Sequence, residues 1–244
     1  MPSLNYSSWY QSLNDWFLTP AGIVASNEFS KVIQNFEHLF KGDVLIQIGG
    51  GGANAWLDLF HYNHQWIATP ISLSSSNEIR CHLNHIPLDR NTADCVLLPL
   101  SLEPFKHSEY LLDEVDRILK PMGFMVLFCI NPWSLWGAAI KLGTLRCYNK
   151  QKITMHSPYG INRMMLARGY RQCALTHFCY LPPVNNSSML RKLGFLNEVG
   201  KMLWPFPSGL YCMIFQKYEH ISPNLLVAPL MTELPEPLLT MPAN

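Results

Sequence analysis

The sequence is poor in charge: only 14% of its 244 residues are Asp, Glu, Lys or Arg, and the formal net charge is +1. It contains no run of Lys and Arg that would track a phosphate backbone, so direct nucleic-acid binding is not expected. Paired cysteines are missing as well. The seven cysteines, at 81, 95, 129, 147, 173, 179 and 212, form no C-x-x-C pair, which argues against a disulfide framework or a zinc site. Cys95, Cys129 and Cys212 lie inside apolar runs and read as small buried hydrophobes. No stretch approaches the roughly 18 uninterrupted apolar residues that a membrane span needs. The opening MPSLNYSSWYQSLNDWF has no basic region followed by an apolar core. The expectation is a soluble cytoplasmic chain without stable membrane insertion and without a metal.

Apolar residues, by contrast, make up 48% of the chain, enough to bury one large core. Their spacing alternates between two periods. Phe29, Val32, Ile33, Phe36, Leu39 and Phe40 recur at helical steps and predict a helix over 21–40, preceded by an aromatic cluster of Tyr6, Trp9, Tyr10, Trp16 and Phe17. VLIQI at 44–48 reads as a buried strand, 54–60 as a helix, 66–69 as a second strand, and 81–88 as the place of a short third. Residues 94–100 read as a fourth strand. Leu111, Leu112, Val115, Ile118 and Leu119 then mark a helix capped by Ser108 and stopped by Pro121 and Gly123. FMVLFCI at 124–130 has the all-apolar character of a central parallel strand.

Further on, an amphipathic helix is expected around 134–145. Ser157-Pro158 opens another that Gly169 closes. Strands over 171–180 and 210–216 flank an amphipathic helix at 189–204. Five prolines in the last 26 residues make 219–244 an irregular tail. The expected organisation is one domain over 1–218, with 1–42 as an aromatic, helical lid segment, followed by that tail. Alternating strands and helices imply a Rossmann-like, doubly wound α/β sheet, whose ligands bind beyond the C-terminal strand ends at the switch point.

At that point stand four glycines, Gly49-Gly50-Gly51-Gly52, directly after the first strand. Lacking Cβ atoms, they let the backbone bend sharply and lie against a ligand. The expectation is a nucleoside-sized guest pressed onto bare backbone. Alone, such a turn is shared by dinucleotide and S-adenosylmethionine binders.

Three segments in order carry a resemblance. VLIQIGGGGA is similar to the first motif of the class I S-adenosylmethionine-dependent methyltransferases. IPLDRNTADCVLL resembles the stretch leading into their fourth strand in the type-11 subgroup, and DEVDRILKPMGFMVLFCINPWS their helix, turn and fifth strand. The resemblance implies a seven-stranded, mostly parallel sheet with an antiparallel last strand, and S-adenosyl-L-methionine as cofactor. It also implies a small-molecule methyl acceptor. The positions it assigns to the cofactor are Gln47, Gly49, Gly50, Gly51, Thr69, Pro70, His82, Leu83, Pro99 and Leu100.

The departures fall on polar anchors. Gln47 stands where the family carries an acid, Thr69 and Pro70 where a carboxylate holds the ribose hydroxyls, and His82 where another acid sits near the adenine. Each lost charged hydrogen bond costs about 1.5–3 kcal/mol, or roughly tenfold in affinity.

His107, just past the fourth strand, is the candidate general base, set against an ordinary helix-start histidine. Tyr10 and Trp16 read either as a lid over the ligand or as packing, and Asn131 and Trp133 as lining of an acceptor pocket. Two other functions compete. One is a degenerate member serving as a binding or regulatory module, which the missing acids favour. The other is a nicotinamide-dependent dehydrogenase, which would also want an acid after strand two.

Overall fold

The computed structural model describes residues 6–73, 77–143, 153–184, 187–194, 199 and 207–218. Its centre is a seven-stranded sheet in the order β3-β2-β1-β4-β5-β7-β6. The strands are β1 (Val44–Ile48), β2 (His64–Thr69), β3 (Glu78–Arg80), β4 (Ala93–Pro99), β5 (Leu119–Ile130), β6 (Tyr170–Phe178) and β7 (Leu210–Lys217). The first five pair in parallel, while β7 runs antiparallel to both β5 and β6. This is the Rossmann-like sheet expected from the sequence. The chain leaves β1 towards β2 and β3 and returns to place β4 on the other side, so the switch point lies between the C-terminal ends of β1 and β4.

Six helices are described: α1 (Tyr6–Phe17), α2 (Pro20–Asn35), α3 (Ser108–Ile118), α4 (Leu135–Lys141), α5 (Pro158–Leu166) and α6 (Ser187–Lys192). Their starts follow local chemistry. The hydroxyls of Thr19, Ser134 and Ser157 accept from the amides of Gly22, Gly137 and Gly160, with Pro20 and Pro158 in first-turn positions that need no N–H donor. α2 packs on the sheet face that presents Phe128, whose ring stacks on Phe29 at 4.1 Å. Phe29 also meets Trp56 and Phe178 there.

Four expectations are corrected. The helix over 21–40 ends at Asn35 and gives way to a 3₁₀ turn at Glu37–Leu39. The helix over 54–60 is only a 3₁₀ turn at Leu57–Leu59, because Asn54 adopts φ +47 and its side chain turns back onto Gly51. The third strand lies at Glu78–Arg80, before 81–88, which is a loop with a single bridge between His82 and His85. Pro121 and Gly123 do not stop α3, which ends at Ile118. They lie in a bulge of β5, where the ladder steps from Ala93–Leu119 to Cys95–Phe124 and Met122 takes φ +64. The later part of the helix expected over 189–204 and the tail 219–244 lie outside the described residues.

Candidate cofactor site and its cover

The switch point is built by two strand ends and one serine. β1 ends at Ile48, and Gly49 continues the ladder by donating to the Ala68 carbonyl at 2.8 Å. The chain then bends through Gly49 at φ +66, Gly50 at φ +94 and Gly52 at φ +61, values that a side chain would strain. On the β4 side, Leu100 and Ser101 follow Pro99. The Ser101 hydroxyl donates to the Ile48 carbonyl, stitching the two strand ends together.

The bend is not bare. The α1 helix lies across it, and its Tyr10, Leu13, Trp16 and Phe17 are all buried. The Tyr10 hydroxyl donates to the Ser101 carbonyl at 3.0 Å, and its ring occupies the space a Cβ on Gly49 would need. Gly51 rests against the backbone of Asn14, and Gly52 against Phe17. The two amides the bend would offer a ligand are already engaged: Gly52 N–H donates to Asn14 Oδ1 at 2.9 Å, and Gly51 N–H to Asn54 Oδ1 at 3.1 Å. The expected room for a guest against bare glycine backbone is therefore filled by the chain itself.

Gln47 is equally committed. It is fully buried. Its Nε2 donates to the Gly49 carbonyl at 2.9 Å and to Asn54 Oδ1 at 2.8 Å, while its Oε1 accepts from Trp56 Nε1 at 2.7 Å. The amide ties strand, bend and the following turn together. Thr69 is buried, its hydroxyl accepting from the Ile71 amide at 3.3 Å.

One part of the expected site is open. A cavity of about 180 Å³ is lined by Pro70, His82, Leu83, Asn84, His85 and Phe105. It lies beyond the C-terminal end of β2, beside the loop that follows β4. Asn84 Oδ1 is buried and has no hydrogen-bond partner among the described residues, which leaves an acceptor available to an N–H donor. The cavity wall is held by α3. The Arg117 guanidinium donates to the carbonyls of Ile86 (2.8 Å) and Leu88 (2.7 Å), and Glu114 Oε1 accepts from the Ile86 amide (3.0 Å). Burial pushes the Glu114 carboxyl up, but the hydrogen bonds from Arg117 and the Ile86 amide outweigh it and hold its pKa below the usual range.

The remaining predicted residues separate. His107 is exposed at the N-cap of α3, its ring edge-on to Tyr110 at 6.2 Å. Asn131 is committed to structure: its Nδ2 donates to the Ser208 carbonyl and its Oδ1 accepts from the Trp133 amide. Trp133 itself is 80% exposed. Trp16 is buried edge-on against Trp136. No cluster of three or more His, Cys, Asp or Glu able to hold a metal occurs among the described residues. No described helix is long and apolar enough to cross a membrane.

Sequence reading missed Glu103, in the loop after β4. It is fully buried; Oε1 accepts from the Ile130 amide at 3.0 Å, and Oε2 has no partner among the described residues. Burial pushes its carboxyl up to about 7, against the hydrogen bonds that lower it. The only signal was an acid set among apolar residues in PLSLEPF.

The cofactor implied by the family resemblance thus meets two different surfaces. The cavity has the apolar walls of Pro70, Leu83 and Phe105, with His82, Asn84 and His85 as its polar members, a lining compatible with a planar nucleobase. An amino-acid tail does not fit the bend, where α1 fills the space and Asn14 and Asn54 already accept from the two amides.

Residues 47–127 match the model of the methyltransferase domain family. No curated protein matches the chain. Among solved structures, a Thermotoga maritima S-adenosylmethionine-dependent methyltransferase, described as a possible histamine N-methyltransferase, is similar. Its TM-score is 0.62 at 14% identity, covering 87% of this chain and 99% of that one. An Archaeoglobus fulgidus S-adenosylmethionine-dependent methyltransferase gives 0.56 at 16% identity over 77% and 92%. The geranyl diphosphate C-methyltransferase of Streptomyces coelicolor A3(2), solved with S-adenosyl-L-homocysteine, gives 0.53 at 16% identity over 78% of each chain. The match to the methyltransferase domain family is confined to residues 47–127, and the seven-stranded sheet around it has the fold of these solved methyltransferases.

Proposed function

We propose that the protein is an S-adenosyl-L-methionine-dependent methyltransferase acting on a small-molecule acceptor, with the adenine end of the cofactor held in the cavity between Pro70 and Phe105. The observation that carries this reading is the cavity beyond β2, lined by Asn84, whose buried Oδ1 has no partner among the described residues, on a sheet whose ligands bind beyond its C-terminal strand ends. Pro70, Leu83 and Phe105 give the ring apolar walls, and the Asn84 amide, turned into the cavity, accepts from its exocyclic amino group. The similar Streptomyces enzyme, with its bound S-adenosyl-L-homocysteine, supports the choice of ligand.

A second reading, a binding module without turnover, is favoured by one observation: Asn14 of α1 and Asn54 take the two amide positions, and α1 covers the floor of the glycine bend.

Asn84→Leu tests the first. Removing an unpaired buried acceptor leaves the free protein as stable or more stable. Calorimetric titration of the variant with S-adenosyl-L-homocysteine is expected to give affinity weaker by about tenfold, the value of one lost hydrogen bond. Titration of the wild type that stays flat at millimolar ligand would move the function to the second reading.

A further inference from the structure

We propose that α1 is a built-in plug for one half of the ligand site, so that the protein in this state takes an adenine nucleoside and excludes the amino-acid tail that a full cofactor carries. The proposal rests on the reading of the cavity as the adenine subsite.

The path of a longer ligand is set by the sheet order. A molecule whose ring lies in the cavity beyond β2 reaches the switch point by extending along the strand ends past β1 to the split with β4. Tyr10 stands in that split. Its ring lies on Gly49 at the end of β1, and its hydroxyl is bonded to the Ser101 carbonyl at the end of β4. An α-amino carboxylate would need N–H donors for its carboxylate, and the bend has Gly51 and Gly52 to give. Asn54 Oδ1 holds the first and Asn14 Oδ1 the second. The side chains that block the tail thus come from α1, with Asn54 completing the set, and they reproduce the contacts the tail would make: a group seated on Gly49, and an oxygen on each free amide. The cavity itself is not entered by α1; none of its lining residues belongs to that helix. Binding of the base and exclusion of the tail are therefore separable.

The aromatic anchoring of α1 explains why the plug is held in place. Trp16 meets Trp136 of α4 at 5.8 Å, and Phe17 meets Trp56 of the turn after β1 at 5.2 Å, so the helix is pinned at its C-terminal end, just past Asn14. Admission of a tail requires Tyr10 and Asn14 to withdraw, and ligands with and without the tail then compete differently with α1.

The test is isothermal titration of the full chain with adenosine and with S-adenosyl-L-methionine, in the wild type and in Tyr10→Ala. The wild type is expected to bind adenosine at least as tightly as the full cofactor. Tyr10→Ala is expected to tighten binding of the cofactor by about tenfold or more while adenosine changes by less than about twofold. If Tyr10→Ala does not fold, Asn14→Ala, which frees the Gly52 amide and leaves the ring in place, is expected to shift the same ratio in the same direction. A wild type that binds the cofactor tenfold more tightly than adenosine overturns the plug and leaves the methyltransferase reading standing. A variant that binds the cofactor no better than the wild type also overturns the plug. Absence of binding by either ligand to both proteins overturns the adenine subsite, and the plug with it.

Discussion

A carboxyl group sealed from water is the sharpest single-residue feature of the molecule. Glu103 keeps one oxygen on the Ile130 amide, and the other has no partner among the described residues, so ionisation in place is costly. Its pKa rises from 4.5 to about 7. Because the folded value lies above the unfolded one, the native state holds the proton longer. The stabilising contribution is complete below about pH 4.5 and is lost as pH rises to about 7, by about 3 kcal/mol. Urea unfolding of the wild type is expected to show falling stability between pH 5 and pH 7.5. Glu103→Gln is expected to flatten that slope and to be the more stable protein at pH 8; an unchanged slope would place the titrating group elsewhere. Gln47 shows the opposite case, a residue whose identity was legible and whose role was not. Against the family pattern it reads as a missing acid that weakens an anchor. In the fold it is a donor to two oxygens and an acceptor from Trp56, and a carboxylate there would face the Gly49 carbonyl and Asn54 Oδ1 with no proton to offer. Spacing along a chain shows which residue departs from a pattern, but not what the neighbours brought by tertiary packing make of it.

Between elements, Asp94 does the joining. Its carboxylate accepts from the Asp43 amide (3.0 Å) and the Val44 amide (2.9 Å) at the start of β1, and from Lys120 Nζ (2.8 Å) in the bulge of β5. Burial raises its pKa, but the Lys120 hydrogen bond and the two amides outweigh this and hold it below the usual carboxylate value. Three parallel strands are thereby fixed at their N-terminal ends by one side chain of β4. Asp94→Ala leaves two amides and an ammonium without that acceptor and is expected to cost about 2–3 kcal/mol in chemical denaturation at pH 7. The loss is expected to shrink at low pH, where the wild-type carboxylate is itself protonated. At this scale the sequence was legible wherever the period was long. Leu111, Leu112, Val115 and Ile118 located α3, and Ser157-Pro158 located α5. It was not legible at short segments. A single Asn54 at positive φ was enough to reduce a helix-like run at 54–60 to one 3₁₀ turn, and Lys120-Pro121-Met122-Gly123, a helix stop by composition, was absorbed as a bulge in β5.

Across the whole molecule the cover of the sheet is uneven. The crossover from β4 to β5 carries α3, and α5 packs on β6 and β7. The connection from β1 to β2 holds only the 3₁₀ turn at Leu57–Leu59, and the described residues between β2 and β3 and between β3 and β4 hold no helix. Parallel strands depend on such crossover helices to bury both faces. The consequence is visible at the β3 edge, where β3 has no buried residue and Trp66 of β2 is 38% exposed, while every residue from Met125 to Ile130 of β5 is buried. Opening of the β2–β3 edge exposes little apolar surface, so it costs less than global unfolding, whereas β4, β5 and β7 open only with the whole domain. Native-state hydrogen exchange is expected to show amides of Ile67 and Cys81, which donate across the β2–β3 edge, exchanging on the order of 100-fold faster than those of Val96, Leu127 and Met213. The cavity lies against the weak edge, with Pro70 directly after β2, so a ligand bound there stabilises the part of the sheet that the missing helices leave exposed. Protection at Ile67 and Cys81 is therefore expected to rise on adding adenosine, with little change at Met213. Uniform protection across the sheet in the free protein would mean that the edge is held by something other than its own contacts, and would remove this link between stability and binding.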